Sequence, residues 1–553
     1  MTLFRKATAF VLFLALLVPS AWYAWSNRDM PQLGRSHDDA IYYTVAKSVA
    51  EGTGYRIQNL PEAPYETKYP PLLIWLLSAT WLIEPHFHAN LPWATLVGWI
   101  MIPPFLFLAW VWFGKAGLEG WRRWLGLAIL ALGPYTVSFG VGVHTEVMFG
   151  VLLLGSLLAC DKAIGDSCPG DNCFPHAKCV RHSWRWAAAG GILAGLAYLT
   201  RTAGIVAVVA MPGVLLFMKK RREAMAFAAA MLPFIAGWMV WVKLHHVPPT
   251  DLVTLYNTDY LGFLLEGLRP SDMGVLLWKN FGHLLYEIGG LAFPLEAESM
   301  LLEMLRTTVA AGIILGLWRR RENRLVQMYA AFAAVTTVEL LVWNFPPNLR
   351  LMYSFVPLLV AGLVWEVEHF AVMLRGAFAH PERSQRVAGW MVGGAAGSLA
   401  LMGVWMTWTM TFQVLPDQAK ESVVVRGESE AAFAWIAEHS AADANVLCLN
   451  PALYLYTARH TETLVSLPIY WYRSDSNGVL APIRELPAHA SAHPMRFIYL
   501  HEFDYDAFAP GSGDEARKLV EANPGLKPVF RSGRGVVYEL LSSKLQVRDA
   551  ARR

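Results

Sequence analysis

The stretch SHDDAIYYTVAKSVAEGTGY, residues 36–55, sets two adjacent carboxylates, Asp38 and Asp39, just after the first apolar segment of the chain. A carboxylate so placed can act as a general base or as a metal ligand. A helix expected over residues 37–51 puts Asp38, Tyr42 and Val45 on one face, an acid and a phenol side by side. Four remote stretches bring further charge to the ends of apolar segments. ETKYPPL carries Lys68, VHTEV carries His144 and Glu146, LTRT carries Arg201, and NLRLMYSF carries Arg350. Lysine holds a phosphate as a point charge and arginine holds it bidentately. The pattern describes a base beside an anion-binding cluster, with His144 and Glu146 also able to take a divalent cation.

Structural explanations stand beside these. Ser36 followed by Asp39 matches a capping box, acids suit the first turn of a helix, and Gly52 supplies a stop. Taken singly, a lysine or arginine at the end of a span is most often a snorkelling residue. The argument for chemistry is convergence, because ionisable groups near membrane depth are costly and mark sites.

The elements that must position these groups are membrane helices. The 553 residues are 55% hydrophobic and 16% charged, against about 25% charged in soluble domains. A net charge of +3 gives no reason to expect nucleic acid. Apolar stretches long enough to span fall near residues 7–25, 93–113, 124–143, 146–162, 186–200, 203–218, 224–242, 299–318, 325–343, 351–370 and 388–412, about eleven in all. The basic clusters at Arg5, Arg122, Lys162 to Arg185, Lys219, Arg319 and Arg375 fit one alternation with the N-terminus cytoplasmic. Residues 26–92, 243–298 and everything after about 413 then face outward. This parity excludes the run PPLLIWLLSATWLI, residues 70–83, as a span, and makes it a re-entrant or interfacial helix. Trp and Tyr at the end of the first span, in place of small residues, mark an uncleaved anchor.

Residues 413–553 change character. ESEAAFAWIAEHS and GDEARKLVEAN have helical spacing, while ANVLCLN, MRFIYLHEF and GRGVVYELL read as strands. The expected architecture is mainly α. It is a polytopic bundle over residues 1–412, whose outer loop 26–92 carries the acidic motif, with a small extracytoplasmic α/β domain over 413–553. The long segment HHVPPTDLVTLYNTDY, residues 245–260, is expected to be a loop that gates the acceptor. Cys168, Cys173, His176, Cys179 and His182 cluster in a cytoplasmic loop, but their spacing fits no regular zinc pattern and reads as free thiols.

DDAIY, KYPPL, HTE, LTR and RLMYSFVPLL together resemble landmarks of the GT-C membrane glycosyltransferases, in the style of the protein O-mannosyltransferase and aminoarabinose transferase group. Here the family's Asp-Glu pair is Asp-Asp, and Tyr69 interrupts its Lys-Pro-Pro-Leu signature. The resemblance implies an inverting transfer of a sugar from a polyprenyl-phosphate donor to a glycan, lipid or protein acceptor at the outer face of the plasma (inner) membrane. It makes Asp38 the general base, Asp39 a helper or cap, and Glu146 an orienting acid. It makes Lys68 the phosphate ligand, with Arg201, Arg350, Tyr42 and His144 as further contacts. It requires no cofactor and leaves a divalent cation open. The alternatives are a transporter or flippase of a lipid-linked or anionic solute, and a surface-polysaccharide ligase or polymerase. A transporter built from two halves would place charges at mid-membrane.

Overall fold

A computed structural model describes residues 3–165, 183–296, 299–379, 382–486, 489 and 495–541. The cysteine and histidine cluster at 168–182 lies outside them. Every segment expected to span carries helix. Among the described residues eight helices are long and apolar enough to cross a membrane, which makes this a multi-pass membrane protein. The other three segments hold shorter helices, over Trp121–Leu132, Ser183–Tyr198 and Thr202–Phe217. The first of these stops where Gly133, extended at ψ 135°, precedes Pro134, since proline disfavours helix in the residue before it. The apolar helix Leu72–Ile83 has 12 residues, about 18 Å at 1.5 Å per residue, against an apolar core of about 30 Å. It is too short to span, as the charge alternation requires.

The bundle packs through small residues. A Cβ on Gly191 would lie 2.2 Å from the Phe227 carbonyl oxygen, so the helices Ser183–Tyr198 and Arg221–His245 touch backbone to backbone. The helix Glu146–Gly165 is the most enclosed, with 72% of its apolar window buried. Polar groups on it therefore meet protein instead of lipid.

The helical run Arg383 to His439 is 57 residues long and passes residues 412 and 413 through a π-helical turn, Met410–Val414. Its apolar first half is almost wholly exposed and its second half leaves the bundle. There Phe433 and Ile436 pack against Val446, Cys448, Phe497, Tyr499 and Val537 of a sheet. The sheet has five strands, β1 Asn445–Cys448, β2 His460–Glu462, β3 Met495–His501, β4 Leu526–Ser532 and β5 Gly535–Leu540, in the order β2-β1-β3-β5-β4. β1 pairs parallel with β2 and β3, and β5 runs antiparallel between β3 and β4. Helices over Ser476–Arg484, Asp504–Phe508 and Gly513–Glu521 cover its other face. The three expected strands are β1, β3 and β5. The two unexpected ones are the sheet edges, three residues long in β2 and interrupted by Pro528 in β4.

This small domain sits on the loop that carries the acidic motif. Thr461 N–H donates to the Asn59 carbonyl at 2.6 Å, Asn59 Nδ2 to Thr461 Oγ1 at 3.1 Å, and Tyr454 OH to Gln58 Oε1 at 3.1 Å. The segment 243–296 is folded as well. The helices Leu252–Thr258, Tyr260–Leu265 and Met273–Gly289 replace the expected loop. Asp251 and Asp259 start the first two by accepting from Thr254 N–H at 2.8 Å and Gly262 N–H at 2.9 Å.

Candidate active site

Asp38 opens the helix Asp38–Ala50, which ends at Gly52 in a left-handed turn, φ +74°. The expected capping box does not form. His37 stands at the N-cap with φ +57° and Asp38 N–H turns back to the Ser36 carbonyl at 2.6 Å, so Ser36 is outside the first turn. Asp39 Oδ1 instead accepts from Gly34 N–H at 3.1 Å and from Ala40 N–H at 2.8 Å. Asp39 is buried and ties the chain before the helix to its first turn. Burial pushes its carboxyl up to about 7, against those two hydrogen bonds.

Asp38 points the other way, into a cluster assembled from five distant segments. Tyr69 OH donates to its Oδ1 at 2.5 Å, and Arg350 Nη2 lies 3.7 Å from its Oδ2. Burial raises the Asp38 carboxyl, but Lys68, Arg350 and the Tyr69 hydrogen bond outweigh it and hold it below the ordinary range. Asp38 is thus ionised at neutral pH. Tyr42, one turn on, packs edge to face on Tyr69 at 4.6 Å.

Arg350 sits in a short helix, Leu349–Met352, started by Asn348, whose side chain accepts from Leu351 N–H at 3.2 Å. Its Nε donates to Glu146 Oε1 at 2.5 Å. Arg201, in the break between two helices, donates through Nη1 to the same oxygen at 2.6 Å. Glu146, buried at the start of its helix, therefore spends its charge on two guanidiniums and aims Arg350 toward Asp38. His144 packs on Phe139 at 5.1 Å, and its buried Nδ1 has no hydrogen-bond partner. Burial and the two arginines push it down to about 4 despite Glu146, so it is neutral at pH 7. Both arginines hold the same oxygen of Glu146, Oε1, and among the described residues no group of three or more His, Cys, Asp or Glu is placed to hold a metal.

Lys68 stands in a cage of tyrosines. Its Nζ is 3.6 Å from the Tyr256 ring centroid, 4.5 Å from Tyr260 and 4.8 Å from Tyr69. Glu66 turns the loop beneath it, its Oε1 accepting from Lys68 N–H at 2.6 Å and Tyr69 N–H at 2.9 Å. Burial pulls the Lys68 ammonium below its usual value, and Asp38 and Glu66 oppose that pull. So Asp38, Tyr42, Lys68, His144, Glu146, Arg201 and Arg350 meet in one place, and Asp39 lies beside it in a structural task. Four participants were not expected: Glu66, Tyr69, Tyr256 and Tyr260. The four-residue spacing of Tyr256 and Tyr260 would put both rings on one face of a helix, but the chain breaks at Asp259 and they come from two successive helices.

A cavity of about 360 Å³ lies between the small domain and the bundle beside this cluster. Arg35, His37, Tyr256, Asn450, His501 and Asp504 are among its polar lining residues. Tyr256 belongs to both and His37 immediately precedes Asp38, so the cavity adjoins Asp38 and Lys68.

The sequence matches no protein-family description and no curated protein. Solved structures similar over almost all of this chain include two of one protein and one of another. ArnT from Cupriavidus metallidurans bound to undecaprenyl phosphate has a TM-score of 0.52 at 15% identity, over 97% of this chain and 99% of that one. The apo state of the same protein has a TM-score of 0.52 at 14% identity, over 98% and 99%. The archaeal oligosaccharyltransferase AglB from Archaeoglobus fulgidus, in complex with an inhibitory peptide and a dolichol-phosphate, has a TM-score of 0.52 at 12% identity, over 98% of this chain and 75% of that one. At these identities the likeness is one of fold: the chain has the architecture seen in ArnT and AglB.

Proposed function

We propose that the protein is an inverting glycosyltransferase that moves a sugar from a polyprenyl phosphate to an acceptor hydroxyl at the outer face of the inner membrane. The observation that carries this reading is that Asp38 and Lys68 meet at one residue, Tyr69, whose phenol donates to the Asp38 carboxylate and whose ring lies under the Lys68 ammonium, with Arg350 reaching both Asp38 and Glu146. The bond from the anomeric carbon to the phosphate oxygen breaks as the acceptor oxygen bonds to that carbon from the opposite face. Asp38 takes the hydroxyl proton, which it can do only if ionised. Lys68 meets the charge that grows on the departing lipid phosphate. Its partners are ring faces, so no ion pair has to break first. Arg201 and Arg350 supply the positive field behind it. Bound phosphate on ArnT and AglB relatives supports a lipid-linked donor. The cavity under the small domain, open to His37 and Tyr256, is read as the place of the acceptor.

The test follows label from a panel of radiolabelled undecaprenyl-phosphate sugars in vesicles carrying the wild type or Asp38→Asn. Label that leaves the lipid with the wild type and stays on it with the variant supports the transferase. Label that crosses the bilayer still on its lipid, equally with both proteins, replaces the transferase with a transporter.

A further inference from the structure

We propose that Tyr69 is a positioning residue for Asp38: its phenol fixes one carboxylate oxygen and leaves the other to face the incoming hydroxyl. The inference rests on the reading of Asp38 as the base. Its ground is the way Tyr69 is itself held. Its N–H donates to Glu66 Oε1 at 2.9 Å and its carbonyl accepts from Tyr55 OH at 2.9 Å. Its ring meets the edge of Tyr42 at 4.6 Å and lies under the Lys68 ammonium at 4.8 Å. Pro70 and Pro71 follow and restrict the backbone further. A buried side chain anchored at so many points does not follow a mobile carboxylate; the carboxylate follows it. Oδ1 is then occupied by the phenol at 2.5 Å, while Oδ2 keeps only Arg350, at 3.7 Å, longer than a hydrogen bond. Oδ2 is thereby left to accept from the incoming hydroxyl. The residue that interrupts the Lys-Pro-Pro-Leu pattern thereby links Lys68, its neighbour in sequence, to Asp38, 31 residues away, through its phenol.

A donor on an ionised carboxylate favours that form, so the phenol also keeps Asp38 unprotonated at lower pH. The other groups facing Asp38 are His37, Asp39 and Tyr42 on its own segment, and Lys68 and Glu66 on the loop. Arg350 faces it from the Leu349–Met352 helix, Tyr256 and Tyr260 from theirs, and His144 from beside Glu146. Tyr69→Phe leaves all of these in place and keeps the ring, so a change reports the hydroxyl.

The first readout needs no substrate. Infrared difference spectra of the full-length protein in nanodiscs, wild type minus Asp38→Asn, isolate the Asp38 carboxylate band. The same difference in a Tyr69→Phe background isolates it without the phenol. The protonated band is expected about one to two pH units higher without the phenol, the size of a hydrogen bond to a charged group. Coincident midpoints overturn the proposal. The second readout is transfer from labelled undecaprenyl-phosphate sugars. Tyr69→Phe is expected to lower kcat, leave the donor KM unchanged, and move the acid limb to higher pH by the same interval. A uniform fall at every pH with a raised donor KM shows a merely structural tyrosine and also overturns it. If Asp38→Asn itself transfers like the wild type, the base reading fails, and with it the proposal, whatever the band does. If Asp38→Asn is dead and Tyr69→Phe matches the wild type in both readouts, only the proposal falls.

Discussion

The helix Glu146–Gly165 carries a buried acid near each end, and each acid holds two cations. Glu146 meets Arg201 at 2.6 Å and Arg350 at 2.5 Å; Asp161, about four turns away, meets Lys115 at 2.9 Å and Arg324 at 2.8 Å. By distance and stoichiometry the two ends are alike. They differ in what lies beyond the cations. Lys115 and Arg324 are 51% and 46% exposed and lead to water, whereas Arg201 and Arg350 are 22% and 27% exposed. Arg350 continues to Asp38, and from there the chain of contacts runs through Tyr69 to Lys68. The Asp161 end also has company of a plainer kind, the pairs of Arg122 with Glu368 and Arg319 with Glu366, which staple basic helix ends together. A buried acid between two cations is therefore a fastening in itself. It becomes a candidate site where the fastening is used to aim a cation at a second, ionised acid beside a cavity.

The hardest test of that distinction is Asp38, which has no counterpart at the Asp161 end. Asp38→Asn keeps the size of the side chain and is expected to reduce transfer by about 10²–10⁴, the usual worth of a positioned base, with normal expression. The second test treats the two fastenings alike. Glu146→Gln leaves two largely enclosed guanidiniums without their acid and is expected to cost about 3 kcal/mol of stability, at the low end for breaking a buried pair. With Arg350 misplaced by an ångström or so, transfer falls about a hundredfold. Asp161→Asn is expected to cost about 1 kcal/mol, because its half-exposed cations regain water, and to leave transfer per folded molecule unchanged. Thermal unfolding and label transfer on the same detergent preparations check both. Equal effects of the two variants on transfer would erase the difference between the ends.

How much of this was legible depended on what each residue does. Segments that bury apolar surface could be read from composition, and every expected span carries helix. Residues that bear a full charge at a span end could be read as well, since Asp38, Lys68, Glu146, Arg201 and Arg350 are conspicuous in an apolar chain and do meet. The partnerships could not. Ser36 and Asp39 have the spacing of a capping box, but the left-handed turn at His37 sends Asp39 to Gly34 instead, a choice made by the packing of residues 27–37 and not by local propensity. Glu146, expected to orient an acceptor or a metal, is committed to two arginines that lie 55 and 204 residues away in sequence. Neutral tyrosines were hardest of all. Among 20 of them, nothing in Tyr69, Tyr256 or Tyr260 announces a partner, because a phenol is as ordinary in a membrane protein's core as at its site. The segment 245–260 was expected to be a gating loop on the strength of its length, and its two aspartate-capped helices were overlooked.

Smaller effects sharpen the comparison by dissecting Lys68, whose close partners are ring faces and not a carboxylate. Lys68→Ala is expected to raise the donor KM or Kd about 10- to 100-fold, the worth of one charged hydrogen bond to the lipid phosphate, with a smaller change in kcat. Because burial draws its ammonium below the ordinary lysine value of about 10.4, the charged form exists only below that lowered pKa. Donor affinity should thus fall with rising pH before a free lysine would lose its proton, and this slope should vanish in Lys68→Ala. A wild-type affinity that is flat up to pH 10 would mean that Lys68 does not hold the phosphate.

The smallest effect belongs to the cage. Tyr256→Leu keeps the helix and most of the apolar volume but removes the ring closest to Nζ, at 3.6 Å. A cation over a partly buried ring is worth about 1 kcal/mol, which corresponds to a donor affinity about fivefold weaker. The direction follows from what the ring does to the free enzyme. It steadies the ammonium without neutralising it, so that a phosphate arriving at Lys68 meets an unpaired charge already held in place. At Asp161 a carboxylate does the steadying, and Lys115 and Arg324 have their charge answered before any anion comes. Replacing Tyr256 by glutamate would convert one arrangement into the other. Tyr256→Glu is accordingly expected to weaken donor binding more than Tyr256→Leu does, although it alone gives Lys68 an ion-pair partner; a glutamate variant that binds donor as well as the leucine one would show that the absence of an acid at Lys68 is incidental.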